Sequence, residues 1–229
     1  MPDLVAESGR QIDATAILGY PPARTVDGGP SLVLGPDARV RSGSTIYRGS
    51  HIGARFQTGH NVVIREECTI GDDVSVWSNT VVDYGCHIGD RVKIHSNCYI
   101  AQFTEIEDDA FLAPGVCIAN DLYPGQAASA HVMSGPWIGA GAQIGVNVTL
   151  LPFVRIGAGS LIGAGAVVVF DIPDGCVAFG NPATVRGRVG DLTSIEQRVE
   201  AVSDSASRYR RSRPRPVSVM QDHRADHDR

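Results

Sequence analysis

Residues 88–118 read IGDRVKIHSNCYIAQFTEIEDDAFLAPGVCI, and the spacing of their aliphatic side chains decides the fold. Ile88, Ile94, Ile100, Ile106, Leu112 and Ile118 fall one every six residues. Four positions after each of the first five comes a small or modest side chain: Val92, Cys98, Thr104, Ala110 and Val116. An amphipathic helix repeats its apolar residues at three and four, and a half-buried strand at two. A period of six fits neither. It marks a β-helix whose six-residue rungs are each a short strand and a turn, with successive coils stacked over one core.

The same period runs back through Val82, Val76, Ile70, Ile64, Thr58, Ile52, Ile46 and Val40 to Leu34, and of these fifteen positions only Thr58 is not aliphatic. Three rungs close a triangular coil, so residues 18 apart stand above one another at the ~4.8 Å spacing of paired strands. The pattern stops at Ile118 and resumes at Ile138, continuing through Ile144, Leu150, Ile156, Ile162 and Val168. That gap of 20 is not a multiple of six, so residues 119–137, ANDLYPGQAASAHVMSGPW, are predicted to form an inserted loop. Long irregular loops on a rigid scaffold usually carry function.

The expected architecture is all-β, a parallel β-helix of about seven coils within residues 32–189, with the repeat ending at Pro173. Residues 1–31 read as a loosely held leader, 190–206 as a short helix that Asp191 can cap, and 207–229 as a disordered, densely charged tail. A net charge of -5 offers no basic footprint for nucleic acid. No run approaches the ~20 apolar residues of a membrane span, and the N-terminus lacks a signal-peptide core, which points to a cytoplasmic protein. Cys68, Cys86 and Cys98 occupy inward positions and read as buried thiols; Cys117 and Cys176 stand alone, and no Cys/His metal spacing occurs.

The rungs, the loop opening Ala119-Asn120-Asp121-Leu122-Tyr123-Pro124, and the ending VVVFDIPDGCVAFGNPATVRGRV resemble the hexapeptide-repeat acyltransferases, and most of all the acetyl-CoA-dependent N-acetyltransferases of nucleotide-linked amino sugars. The resemblance covers about residues 40–189 and implies left-handed winding, an exception to the usual crossover rule. It also implies a homotrimer with its active site between neighbouring prisms, and acetyl-CoA as co-substrate with no metal. Those relatives typically carry Thr-Asn-Asp where this chain has Ala119-Asn120-Asp121, and often a glutamate at the position of Gln102.

Acyl transfer from a thioester needs a free nucleophile, a donor for the developing oxyanion and aligned reactants. Glu66, Tyr84, Gln102 and Asn120 share one column on the edge that emits the loop, flanked by Asp83 and Asp121. Asn120, Asp121 and Gln102 are the candidate catalytic residues there; Tyr84 and Tyr123 are candidate substrate contacts. The competing account for this column is a solvated turn whose Asn and Asp tolerate unusual backbone angles. A second column, Asn61, Asn79 and Asn97, reads as a turn-satisfying ladder beside the stacked Trp77 and His95. His95 is the candidate general base, with Trp77, Asn79 and Asn97 as further substrate contacts. His87 stacks under Glu105, able to orient an imidazole or merely to form an exposed pair. Gly139, Gly157, Gly163 and Ala164 leave room for the pantetheine arm, or simply suit the turn after each strand. Arg186 and Arg188 offer forked donors to the coenzyme phosphates.

The reading is therefore transfer of an acetyl or related acyl group from acyl-CoA to the primary amine of a small-molecule acceptor, an amino sugar linked to a nucleotide. An O-acyltransferase using a His base, a zinc carbonic anhydrase on the same helix, and a non-catalytic β-helix scaffold are the alternatives.

Overall fold

The computed structural model describes residues 4–5, 9–23 and 30–192. Short strands turn through three sheets of eight, ten and eight strands, here called I, II and III, parallel but for the last strand of II. Most rungs contribute a strand of two or three residues, so the chain visits I, II and III in turn and returns to I one coil higher. The register is the one the period demands: Ile70 pairs with Ile52 and Ile88 in sheet I, Val76 with Thr58 and Ile94 in II, and Val82 with Ile64 and Ile100 in III. This is the three-sided β-helix expected.

Inward side chains form three vertical stacks, nearly all fully buried. Each coil leaves its neighbours to cover its apolar ends, so stability accrues by stacking. Thr58, the one polar member, is 2% exposed, and its Oγ1 accepts from the backbone N–H of Arg41 at 2.9 Å. That bond offsets the cost of burying a hydroxyl. The thiols of Cys68, Cys86 and Cys98 are free and buried, while Cys117 is exposed.

Two expectations about the ends need correction. The segment read as a loose leader is a coil of the prism: Leu4–Val5, Gln11–Ile12 and Ile17–Tyr20 add one strand to sheets I, II and III. Its partners lie 28 residues on, as in Ile12↔Val40, rather than 18. A ten-residue excess in the Pro- and Gly-rich stretch before Leu32 hides Ile12 and Leu18 from a search for sixes. At the other end the repeat does not stop at Pro173. Cys176–Gly180 joins sheet II in parallel, Ile162 facing Ala178, and Ala183–Arg188 folds back antiparallel to it. Ala183–Arg188 is thereby the outermost strand of sheet II. Val189–Asp191 make a single 3-10 turn. The helix expected over 190–206 lies outside the described residues from position 193 onward, as does the tail 207–229.

Candidate active site

The corners between sheets carry the polar residues. The corner from sheet III to sheet I holds the column Glu66, Tyr84, Gln102 and Asn120, and the loop leaves the prism from its top. In sheet I Ile106 pairs with Ile138, an offset of 32, so the insertion adds fourteen residues to a normal coil. The loop is tied to its root. Asp121 Oδ1 accepts from the Tyr123 N–H at 2.7 Å, its Oδ2 accepts from Ser129 Oγ at 2.9 Å, and the Ser134 N–H donates to Asn120 O at 3.0 Å. Asp121 thus pins the loop, while Leu122 and Tyr123 stand exposed.

Beneath the loop runs a chain of polar contacts. Asn120 Nδ2 donates to Gln102 Oε1 at 2.6 Å, and Gln102 Nε2 donates to Asp83 Oδ2 at 2.7 Å. Asp83 also accepts from the Tyr99 hydroxyl at 2.8 Å and from the Tyr84 N–H at 2.8 Å. Arg65 lies 3.5 Å from Asp83 and clasps Glu66 with both ends of its fork, at 2.8 and 3.0 Å. Glu66 is 1% exposed and Asp83 7%, so the pairing keeps these buried charges in place. The hydrogen bonds to Glu66 raise the Arg65 guanidinium above its ordinary pKa, and burial, followed by the bond to Asp83, pushes the Tyr99 phenol up to about 12. In the sequence Asp83 reads only as a flank of the column, and nothing singles out Arg65 or Tyr99. Arg65 and Asp83 do stand 18 apart, the same stacking signal that exposed Gln102 and Asn120.

Beside the loop exit is a groove of about 270 Å3 whose walls include Phe103, Ser134, Trp137, Phe153 and Arg155. Phe103 and Phe153 hold φ of 60° and 67°, a region costly for bulky side chains, and both stay exposed. The same left-handed φ recurs at turn residues along the prism, as at Asn61, Asn79 and Asn97. Arg155 lies 4.6 Å over the Trp137 ring. A larger groove of about 410 Å3 continues along sheet I past Glu105 and His87, which pair in register as expected.

The remaining candidates sit elsewhere on the chain. His95, Trp77, Asn79 and Asn97 gather at the corner from sheet II to III, where the His95 ring packs 4.9 Å from Phe111. Asn79 and Asn97 have φ of 60° and 61°, which accounts for them as turn residues. Within one chain this corner and the Asn120 corner are separate. Gly139 and Gly157 lie on the corner from I to II, where an added Cβ would come 2.7 Å from Ala158 N and 2.3 Å from Asp174 N in the next coil. Stacking alone requires these two glycines. Gly163 adjoins Phe179, Ala164 is exposed, and exposed Arg186 lies 5.5 Å from the Phe179 ring on the terminal hairpin that also bears Arg188. Among the described residues no group of three or more His, Cys, Asp and Glu is placed to hold a metal, and no helix is long and apolar enough to cross a membrane.

Residues 49–83, 85–120 and 135–169 match the family described as bacterial transferase hexapeptide (six repeats). The dTDP-3-amino-3,6-dideoxy-α-D-galactopyranose 3-N-acetyltransferase of Aneurinibacillus thermoaerophilus is 40% identical over 72 residues, covering 31% of this chain and 38% of the relative. The galactoside O-acetyltransferase of Lactococcus lactis is 46% identical over 61 residues, 27% of each chain. The chain thus spans between about a quarter and two-fifths of the length of these curated relatives. The crystal structure of the polySia-specific acetyltransferase NeuO superposes with a TM-score of 0.50 over 90% of this chain and 91% of that one, at 18% identity, a likeness of fold. Repeat, three-sided prism and matched segments agree: residues 49–83, 85–120 and 135–169 carry the repeat of the bacterial transferase hexapeptide family.

Proposed function

We propose that the protein transfers an acetyl group from acetyl-CoA to a primary amine of an amino sugar, one linked to a nucleotide, and does so as a homotrimer. The observation that carries this reading is the Asn120 amide, held at 2.6 Å by Gln102 at the root of a loop that Asp121 fastens. Similarity to an amino-sugar N-acetyltransferase across the repeat supports it. In the reaction the amine nitrogen attacks the thioester carbonyl carbon, forming the C–N bond. The C–S bond then breaks, and the departing thiolate takes up the proton shed by nitrogen.

Holding both reactants in place supplies much of such a rate enhancement. Asn120 and Gln102 orient the amine, and the aromatic groove at Phe103, Trp137 and Phe153 receives the flat parts of the acceptor. Ala164 and the exposed arginines 186 and 188 are where the coenzyme would lie, the guanidinium forks suiting its phosphates. His95 reaches a reacting centre only if a neighbouring prism brings its corner to the loop. That arrangement would serve an O-acyltransferase, which needs a base, and the similarity to a galactoside O-acetyltransferase keeps it in view.

Thiol release from acetyl-CoA, followed against amino sugars, nucleotide-linked amino sugars and small amines, tests the proposal. Turnover is expected with amines and should survive His95→Ala. Transfer confined to hydroxyl acceptors and abolished by His95→Ala would overturn it.

A further inference from the structure

The polar chain beneath the loop has a direction, and that direction determines which atom of Asn120 a ligand meets. Asp83, 3.5 Å from the Arg65 guanidinium, is a carboxylate and can only accept. Three donors converge on it: the Tyr84 N–H, the Tyr99 hydroxyl and Gln102 Nε2. With its NH2 end committed to Asp83, Gln102 must turn its carbonyl Oε1 toward Asn120, where it too can only accept. Asn120 answers with Nδ2 at 2.6 Å, and its Oδ1 occupies the opposite end of the amide. Among the described residues nothing donates to that oxygen. The two ends of an amide are told apart by their partners, and here one carboxylate settles both amides in turn.

We propose that Asp83 is a positioning residue which, acting through Gln102, sets the polarity of the Asn120 amide so that Asn120 Oδ1 is presented at the root of the loop as an acceptor for the N–H of a primary amine. The inference rests on the amine-acetylating reading above and deepens it. A primary amine can give one hydrogen to Oδ1 and keep its lone pair for the thioester carbon. An oxyanion would need a donor, and Asn120 Nδ2 turns one hydrogen to Gln102 Oε1 and the other to Met133 Sδ at 3.6 Å. Arg65 belongs to the same device, because its guanidinium lies 3.5 Å from Asp83 and holds that side chain in place.

The polarity can be reversed and restored by substitution. Asp83→Asn removes the acceptor-only group, so Gln102 is free to turn its amide over. Gln102→Glu sets two carboxylates where 2.7 Å now separates donor from acceptor. In the double variant the amide introduced at position 83 donates to the carboxylate introduced at position 102. The other oxygen of that carboxylate again accepts from Asn120 Nδ2, and Tyr99 turns its hydroxyl to accept.

Steady-state rates with acetyl-CoA and the best amine, together with melting temperatures, are measured for the four proteins. Each single variant should lower kcat/KM for the amine by about tenfold or more, the scale of coupling between touching groups, without changing KM for acetyl-CoA. The double variant should recover most of that loss and most of the melting temperature. Recovery of melting temperature without recovery of rate would make Asp83 purely structural and overturn the inference. Recovery of neither, in a protein whose far-ultraviolet spectrum is native, would overturn it as well. A wild-type protein that acetylates no amine would instead remove the function proposed above. The inference would fall with it, an outcome distinct from a loss in the single variants that the double variant does not restore.

Discussion

Two corners of the prism carry the same device, an arginine gripped by carboxylates of its own coil or the next. At the corner from sheet I to II, Arg91 meets Asp109 at 2.7 Å and Asp108 at 3.1 Å, and Arg55 meets Asp73 at 2.7 Å. These side chains are about half exposed, and their pairs trade one set of water contacts for another. At the corner from III to I, Arg65 grips Glu66 and Asp83, both nearly out of reach of water. Loss of a partner there leaves a charge that solvent cannot repair. An 18-residue period can therefore build either a solvated ladder or a rigid polar floor, and depth decides which. The loop and its asparagine sit on the floor.

The contrast can be broken by substitution, beginning where the effect is largest. Glu66→Ala should cost about 2–3 kcal/mol in urea unfolding, because both bonds to Arg65 are lost and the guanidinium, 29% exposed, keeps only the Asp83 carboxylate at 3.5 Å. A cost no greater than that of a surface substitution would show the corner to be wet. Asn120→Ala should lower kcat/KM about a hundredfold, the penalty for a lost positioning contact, while leaving the melting temperature near wild type. Asn97→Ala tests the third corner, where an asparagine is explained by its φ of 61°. There the left-handed backbone should cost a residue with a Cβ about 1 kcal/mol, and Asn97→Gly much less. Asp109→Asn, on the solvated ladder, should move the melting temperature least, and 1 M salt should erase the shift. Its hydrogen bond to Arg91 holds the Asp109 carboxyl below the usual carboxylate range. The small stabilisation it gives is therefore present above the unfolded pKa, near 4, and fades as pH falls through the lower folded value. Asp109→Asn should flatten that acid limb.

Much of this was legible in the sequence because a β-helix converts spacing into position. Every inward residue from Leu34 to Val168, the stacking of Gln102 beneath Asn120, and the existence of the loop follow from counting in sixes and eighteens. The N-terminal coil escaped because extra residues before Leu32 break the count, although Ile12 and Leu18 already have the right character. The closing strand escaped for a related reason: Ala178 faces Ile162 at an offset of 16. The Arg65–Asp83–Tyr99 contacts escaped for another reason. They join neighbouring columns, and whether side chains on adjacent columns meet depends on their direction at the corner, which a one-dimensional period does not encode. The glycines taken as coenzyme floor show the opposite hazard. Gly139 and Gly157 fit a ligand-binding reading in sequence, yet the backbone of the next coil occupies the space above them.

The most direct test of the account is a crystal structure of the assembled protein with CoA and an amine acceptor that it turns over. The account predicts the acceptor nitrogen within hydrogen-bond reach of Asn120 Oδ1, with Gln102 and Asp83 unmoved beneath it and the thiol approaching from the far side. An acceptor bound with its amine out of reach of Asn120, while the loop root faces bulk solvent, would contradict it.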